Sequence, residues 1–305
     1  MSLAASIISS TLNAGTPLLL AAAGIVIHEK SGVLNLGIEG IMLMGAVIGF
    51  STTLATGSFA LGFLAGAGVG LLLGLLFAFF TLGMHANQYA AGLALTLFGT
   101  GLSAFIGKPL QGQLSERAAS GIPGLENIPF LGEAFFSQHF FVYGALILIA
   151  AVWWFLFRTR AGLILRAVGE APQSAFALGF PVLRIRLLAV LFGAVCAGVA
   201  GAYLSLVYTP LWVEGMTAGR GWIALALVTF ATWRPLRVVV GAYLFGGVTM
   251  LQFAFQGMGI SISPQFMAMT PYLATILVLV LISRNPQWIR LNVPASLGKP
   301  FAPRS

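Results

Sequence analysis

The amino-acid sequence predicts an all-α polytopic membrane protein with about nine transmembrane segments, some of them broken, and with an internal inverted repeat. The first part of this prediction rests on composition. Hydrophobic residues make up 59% of the 305 residues and charged residues only 7%, whereas soluble domains carry about 25% charged residues. Glycine (38) and phenylalanine (24) are both abundant, as expected where helices pack closely on one another within lipid.

Nine apolar stretches follow one another along the chain, separated by polar or basic segments. They lie at 15–28, 33–54, 58–82, 87–106, 140–157, 187–209, 219–233, 238–255 and 271–283. The stretches 15–28, 219–233 and 271–283 are shorter than the roughly 20 residues of a straight span, so we expect them to be broken or to begin inside the protein. Residues 1–14 lack the basic region and cleavage site of a signal peptide, and we expect a separate interfacial or half-spanning helix there.

The distribution of basic residues predicts the orientation in the membrane. If the N-terminus is outside and all nine segments cross, twelve of the fifteen Lys and Arg residues lie in the cytoplasm, as the positive-inside rule requires. The three that remain outside are Lys108, Arg117 and Arg220. Residues 1–305 then form a single transmembrane domain with an external loop at 107–139, a cytoplasmic loop at 158–186 and a cytoplasmic tail at 284–305.

The inverted repeat is predicted from two similar stretches of sequence. NLGIEGIMLMGAVIG (35–49) and TAGRGWIALALVTF (217–230) both place glycines ahead of an apolar helix, and a glycine-rich helix follows each of them. In the nine-span topology the two copies enter the membrane from opposite sides. Inverted repeats with interrupted helices are typical of transporters, although spaced small residues also arise from ordinary helix packing.

Enzymatic, metal and nucleic-acid functions find little support in the sequence. No aspartate is present, the seven acidic residues are scattered, and the three histidines and the single cysteine lack metal-ligand spacing. No phosphate-binding loop is visible. We therefore predict that the chain is not an enzyme and holds no metal or cofactor. The net charge of +8 reflects topology rather than a nucleic-acid surface, because the basic residues fall between apolar spans.

The polar residues inside apolar segments are the candidates for a solute pathway. Asn35 and Glu39 are four residues apart and therefore share one helix face, and ionisable groups at membrane depth usually face a cavity or the bundle interior. The alternative for Glu39 is a position near the headgroups, or a tie between two helices. Asn87 and Gln88 are further candidates, with an interfacial role as the alternative.

Arg220 could bind a polar solute or extend towards the membrane surface. Trp222 follows it closely in sequence, and an aromatic-belt role is the alternative for this indole.

Four stretches resemble a known family: SGVLNLGIEGIMLMGA (31–46), NQYAAGLALTLFGTGLSAFIG (87–107), AVGEAPQSAFALGFPVLRIR (167–186) and GRGWIALALVTFATWRP (219–235). They are similar to the permease subunit of bacterial ABC importers, in the superfamily that serves ribose-like sugars, branched-chain amino acids and nucleosides. The Asn-Leu-Gly-x-Glu-Gly core resembles the nucleoside and simple-sugar branch. The resemblance implies a pathway for nucleosides, related purines or pyrimidines, or simple sugars, in the bacterial plasma (inner) membrane.

The resemblance also implies partners. These are an ABC ATPase, double-length in such systems, which binds the ATP, a second permease chain (identical or a sibling), and an extracytoplasmic substrate-binding protein. A short helix starting near Pro172 is implied to couple to the ATPase. The coupling residues are Glu170, Ala171, Pro172, Ala175 and Gly179, of which the small side chains Ala175 and Gly179 suggest close approach to a partner.

If the solute is a nucleoside, Phe98 or Trp222 could stack its base. The competing hypothesis is a proton-coupled secondary transporter that uses Glu39 as its ion site and needs no ATPase. A membrane structural or assembly protein fits less well with an intramembrane carboxylate.

Overall fold

The structure, a computed structural model, describes residues 3–115, 130–257 and 292–302, together with isolated positions between these ranges. The described residues form ten α-helices. They are α1 (Leu3–Lys30), α2 (Ile38–Thr56), α3 (Phe59–Ala78), α4 (Gln88–Gly107), α5 (Phe140–Arg158), α6 (Arg160–Glu170), α7 (Pro172–Ala177), α8 (Val182–Tyr203), α9 (Arg220–Phe230) and α10 (Pro235–Gly257). The all-α class is confirmed.

Six helical stretches among these residues are long and apolar enough to cross a membrane, and α9 and α10 supply two shorter apolar stretches. Eight of the nine predicted segments coincide with them. The ninth, 271–283, lies outside the described residues except at single positions. The chain is a multi-pass membrane protein.

The prediction of a separate helix before residue 15 is wrong. Residues 3–30 form one helix of 28 residues, about 42 Å long at 1.5 Å per residue. The polar residue Asn13 has partners inside the protein: Asn13 Nδ2 donates to Gln138 Oε1 at 2.8 Å, and Tyr203 Oη donates to Asn13 Oδ1 at 2.6 Å. Because these groups are satisfied within the bundle, α1 can continue through it.

Of the segments expected to be broken or to begin inside the protein, 219–233 meets the expectation, whereas 15–28 does not, because it lies within the continuous helix α1. A further interruption, which was not expected, occurs at the start of the segment 33–54. Residues 31–37 are not helical, so that α2 begins at Ile38 rather than at residue 33. The helix α9 has only 11 residues, about 16 Å, which is half of a hydrocarbon core of about 30 Å. Residues 209–219 precede it without helical structure. Both α2 and α9 are thus preceded by irregular chain. The segment 31–37 before α2 is buried or half-buried, whereas the segment before α9 is exposed at Thr209, Val213, Glu214, Gly215 and Ala218.

The helices α1–α3 and α8–α10 have corresponding contacts in opposite orientations. In the first set, α3 packs antiparallel on α8, where a Cβ added at Gly66 would lie 3.2 Å from the Gly198 carbonyl oxygen. In the second set, α10 packs antiparallel on α1, where a Cβ at Gly246 would lie 2.8 Å from the Gly15 nitrogen. α2 runs parallel beside α8, and α9 runs parallel beside α1. These contacts have the pattern of the predicted inverted repeat.

The ends of α1 and α9 and the loops around α6 and α7 meet at one end of the bundle, which we call the basic end. Lys30 lies close enough to Arg166, Glu170 and Arg234 to interact with them electrostatically. The opposite end carries the turn between α2 and α3 and the last helical residues before Thr209.

Candidate functional site

The first turns of α2 and α9 meet inside the bundle, and the Glu39 carboxylate lies between them. Its Oε1 accepts hydrogen bonds from Thr217 Oγ1 at 2.6 Å and from the Gly219 backbone N–H at 2.8 Å. Its Oε2 accepts one from the Gly221 backbone N–H at 2.6 Å. Glu39 is 7% exposed. We call this arrangement the Glu39 junction.

The charge of Glu39 suits this position because two helix N-termini face one another there. Each N-terminus leaves backbone N–H groups without helical partners and carries about half a positive charge. The N-cap residues, Gly37 of α2 and Gly219 of α9, provide no side-chain cap. One carboxylate therefore offsets the positive ends of both helices and satisfies two of the free N–H groups of α9.

Glycines make the close approach at the junction possible. A Cβ at Gly221 would lie 2.6 Å from the Glu39 Cα, so a side chain there would push the two helices apart. Gly219 has a φ of +82°, a left-handed conformation that glycine adopts without strain. The glycine-rich stretch around residue 219 was visible in the sequence, but its contact with Glu39 was not.

The segment 31–37, which leads into α2, is held by α4. The Thr96 hydroxyl donates to the Leu36 carbonyl at 2.8 Å, and the Leu34 N–H donates to Gln88 Oε1 at 2.8 Å. Thr96 is eight residues into α4, or about 12 Å along its axis. The chain beside Glu39 therefore lies near the middle of a spanning helix and not at its end.

Two glycines of α4 allow this contact. A Cβ at Gly92 would lie 2.6 Å from the Leu36 nitrogen, and a Cβ at Gly99 would lie 2.5 Å from the Gly40 carbonyl oxygen. The backbones of α4 and of the start of α2 therefore touch directly. Such a contact between small residues is expected for helices in lipid, where close packing takes the place of the hydrophobic effect.

A second buried glutamate fixes the other end of α9. Glu29, at the end of α1, accepts a hydrogen bond from the Trp233 indole N–H at 2.5 Å. Thr232 and Trp233 both have positive φ, +49° and +53°, and the Arg237 guanidinium donates to the Thr232 hydroxyl at 2.9 Å. Sequence reasoning missed Glu29 and Trp233, since nothing in their spacing links the two positions.

The predicted pathway residues do not gather at one surface. Asn35 Oδ1 accepts from the Gly37 N–H at 2.8 Å and shapes the start of α2. Asn87 caps α4 by accepting from the Tyr89 and Ala90 N–H groups. Phe98 and Trp222 are 50% and 37% exposed on the outer faces of α4 and α9.

Arg220 lies at a cavity of about 730 Å³ next to the Glu39 junction. Its guanidinium lies 5.4 Å from the Tyr208 ring centroid and donates to the Met216 and Thr217 carbonyls at 3.2 Å each. Burial lowers the pKa of His139, another lining residue, to about 4, so this imidazole is neutral at neutral pH. The remaining described lining residues are Ser10, Asn13, Ser137, Val207, Thr209, Pro210, Leu211, Val213, Thr249 and Met250.

The loop predicted to couple contains a short helix that begins at Pro172, as expected. Ala175, however, is buried against Val168, Val182 and Phe301 of the same chain. Gly179 has a φ of +87°, and a Cβ there would meet no atom within 4 Å. Within this chain, the small side chain of Ala175 is explained by the packing of Phe301 on it. The glycine at position 179 is explained by its left-handed backbone conformation.

The outer surface of this loop is apolar. Leu178 is 77% exposed and Phe176 42%. Ala171 precedes the helix, and Glu170 Oε2 accepts from the Ala295 N–H at 3.3 Å. In the described part of the chain, no group of three His, Cys or acidic side chains could hold a metal ion.

Comparison with known proteins shows which family this chain belongs to. A family model described as the permease component of the branched-chain amino acid transport system matches residues 7–283. TsgC13 of Haloferax volcanii, a permease protein whose name assigns it provisionally to a glucose ABC transporter, is 43% identical over 97% of this chain and 97% of its own length. The nucleoside ABC transporter permease protein NupC of Lactococcus lactis is 35% identical, with 98% of this chain and 94% of NupC covered.

A third relative, the guanosine ABC transporter permease protein NupQ of Bacillus subtilis, is 32% identical over 90% of each chain. The family resemblance seen in the sequence is confirmed, and the names of these relatives agree with the nucleoside and sugar branch. A transporter permease component is not an enzyme. With the family model covering residues 7–283, the chain belongs to the branched-chain amino acid transport system permease family and is a transmembrane permease subunit of an ABC transporter.

Proposed function

We propose that this subunit forms part of the pathway of an importer for nucleosides or simple sugars, and that a separate ATPase subunit supplies the energy. The observation that carries the proposal is the Glu39 junction, because interrupted helices that begin inside a bundle are the arrangement from which transporters build their pathways. The named substrates of the three relatives, glucose, nucleosides and guanosine, support the substrate class.

The cavity beside Arg220 combines apolar walls with polar groups, which suits such solutes. Hydroxyl, amide and guanidinium groups line it together with the Tyr208 ring, and no acidic side chain is among its described lining residues. A neutral ligand with several hydroxyls can exchange hydrogen bonds with such groups, and an aromatic ring can pack on its apolar face. We propose that Arg220 contacts the solute here, and that Phe98 and Trp222 face a second permease chain or the solute.

The proposal gives a different task to the other predicted pathway residues. Glu39, Asn35, Asn87 and Gln88 bind backbone groups of the chain itself. They shape the pathway by holding the starts of α2, α4 and α9 in place. The proton-coupled alternative loses its support, since the relatives are ABC permeases and the Glu39 carboxylate is already occupied by three donors.

The remaining components follow from the same assignment. The basic end faces the cytoplasm, where the loop 158–186 contacts an ATPase, and residues 107–139 face outwards. An extracytoplasmic binding protein delivers the solute, and a second permease chain completes the complex in the plasma membrane. ATP binds to the ATPase and not to this chain.

The test is reconstitution in liposomes with the ATPase, the binding protein and the second permease of the same transporter. ATP-dependent uptake of radiolabelled guanosine and glucose is measured, with a hydrolysis-deficient ATPase as the control. We expect uptake of at least one of the two solutes only with active ATPase. Uptake driven by a proton gradient without ATP, or ATP-dependent uptake of leucine in place of both solutes, would contradict the proposal.

A further inference from the structure

Arg186 in α8 is fully buried, and its described partners are all uncharged. Its Nε donates to the Ser31 carbonyl at 3.1 Å, its Nη1 to the Lys299 carbonyl at 3.4 Å and its Nη2 to the Ser296 hydroxyl at 2.8 Å. The guanidinium carbon also lies 5.7 Å from the Phe301 ring centroid. A buried cation without a counter-ion costs stability that an apolar side chain of similar volume would not. The position therefore needs an explanation other than core packing.

The described part of the C-terminal tail, residues 292–302, lies across the basic end of the bundle. Near its start, the Ser296 N–H donates to the Gly169 carbonyl of α6 at 3.1 Å. In the middle, the Gly298 N–H donates to the Gly32 carbonyl at 3.3 Å. Near its end, the Ala302 carbonyl accepts from Gln173 Nε2 of α7 at 3.2 Å.

Phe301 packs the tail against α7. It is buried with Val168, Ala175 and Val182, and its ring centroid lies 6.0 Å from that of Phe176. A movement of α7 therefore moves Phe301, because a well-packed aromatic side chain leaves no free volume for the helix to slide past. The tail transmits that movement to its own middle, where Gly298 bonds the turn at 31–32 directly and Lys299 is joined to it through Arg186.

That turn leads directly to the Glu39 junction. From Gly32 the chain runs without helical structure to Ile38, the first residue of α2. The Lys299 carbonyl also accepts from Gln88 Nε2 at 3.4 Å, while Gln88 Oε1 accepts from the Leu34 N–H. The tail thus contacts both the start of this segment and the end of α4 that holds it.

We infer that the tail, which is held by hydrogen bonds from Arg186, is a mechanical link that couples the position of α7 to the position of the Glu39 junction. This inference rests on the proposed function, in which α7 contacts an ATPase. Arg186 is then a positioning residue, which does not touch the solute. Its planar fork of donors reaches the turn at residue 31 and two points of the tail at once, so the three parts shift together. This geometric task accounts for a buried arginine among uncharged partners.

The test uses the reconstituted complex and measures two rates, ATP hydrolysis and uptake of labelled guanosine and glucose, each per assembled complex. Arg186→Met keeps the apolar stem and removes the donors. Arg234→Met is the matched control, since Arg234 is an exposed arginine at the same end of the bundle and lies outside the loop 158–186. We expect Arg186→Met to lower the ratio of solute transported to ATP hydrolysed by about fivefold or more, and the control to keep the wild-type ratio.

Ser296→Ala and Phe301→Leu test the same link through milder changes. Both should lower the ratio less than Arg186→Met, and they keep the test decisive if Arg186→Met does not assemble. Arg186→Lys should recover part of the ratio, because lysine keeps the charge but cannot reach three acceptors in one plane.

A wild-type ratio in the assembled Arg186, Ser296 and Phe301 variants would overturn the inference. So would a fall of hydrolysis and uptake in equal proportion, which is the result expected if Arg186 only stabilises the fold. If the proposed function itself is wrong, the result is different, because the wild-type complex would then show no ATP-dependent uptake at all.

Discussion

The helices α2 and α9 begin in the same way and are held in different ways. Both start after irregular chain, and both have a glycine at the N-cap. The start of α2 lies against α4 through direct backbone contact at Gly92 and Gly99. The start of α9 is held by a charge, the Glu39 carboxylate. One helix start is therefore fixed by packing and the other by electrostatics.

The difference shows how a chain can place two helix ends inside a membrane protein with a single acidic residue. Packing alone would leave the N–H groups of α9 without partners, at a cost of about 1–3 kcal/mol for each buried group. A second carboxylate on α9 would place two like charges side by side. The combination of one carboxylate with close glycine contacts avoids both costs.

Removing the carboxylate should have the largest effect. Glu39→Leu leaves three buried donors without an acceptor, and we expect a loss of about 3 kcal/mol or more in stability. The unfolding midpoint in detergent, followed by tryptophan fluorescence, measures this loss. The loss of stability for Glu39→Gln should be smaller, about 1–3 kcal/mol. Its amide oxygen still accepts a hydrogen bond, but its NH₂ group lies opposite a donor. If Glu39→Leu has wild-type stability, the carboxylate does not hold the junction.

The packing contact between α4 and the start of α2 should be disrupted by the addition of one methyl group. Gly99→Ala places a Cβ against the Gly40 backbone, and overpacking of this kind costs about 1–3 kcal/mol. Gly101→Ala is the matched control on the same helix, since a Cβ at Gly101 meets no atom within 4 Å. The unfolding midpoint should fall for Gly99→Ala alone. Equal midpoints for the two variants would show that α4 does not press on α2.

A single neutral donor at the junction should matter less. Thr217→Val removes the hydroxyl that donates to Glu39 and keeps the shape, so we expect a loss of about 1 kcal/mol in stability. Thr217→Ser retains the hydroxyl and serves as the control. A loss for Thr217→Val as large as that for Glu39→Leu would mean that the backbone N–H bonds of α9 contribute little.

The smallest effect is expected at the second buried glutamate. Glu29→Gln keeps an oxygen that can accept from the Trp233 indole, and Glu29 has no helix N-terminus to neutralise. We expect a change in stability below that of Glu39→Gln, measured in the same unfolding experiment. If the order of the two glutamine variants is reversed, the helix ends are not what makes Glu39 important.

The sequence predicted the class, the positions of eight apolar segments and the glycine-rich starts of α2 and α9, because hydrophobic runs and glycine spacing are local properties. It also singled out Glu39. It did not predict what Glu39 binds, since Thr217 and Gly221 are far away along the chain. The same holds for Arg186 and Glu29, whose partners come from remote segments and leave no local pattern. The continuous helix α1 was missed for the same reason, because the partners of Asn13, at Gln138 and Tyr203, are also remote along the chain.

Glu39 is the second residue of α2, and Gly221 is the second residue of α9. These equivalent positions of the two repeats touch one another. In a dimer of two identical half-length chains, the same residue would occupy both positions, giving either two carboxylates in contact or two glycines with no acceptor between the helix ends. Neither pair can form this junction. Joining the halves in one chain allowed them to differ at this point, so the contact depends on the loss of exact symmetry between the repeats.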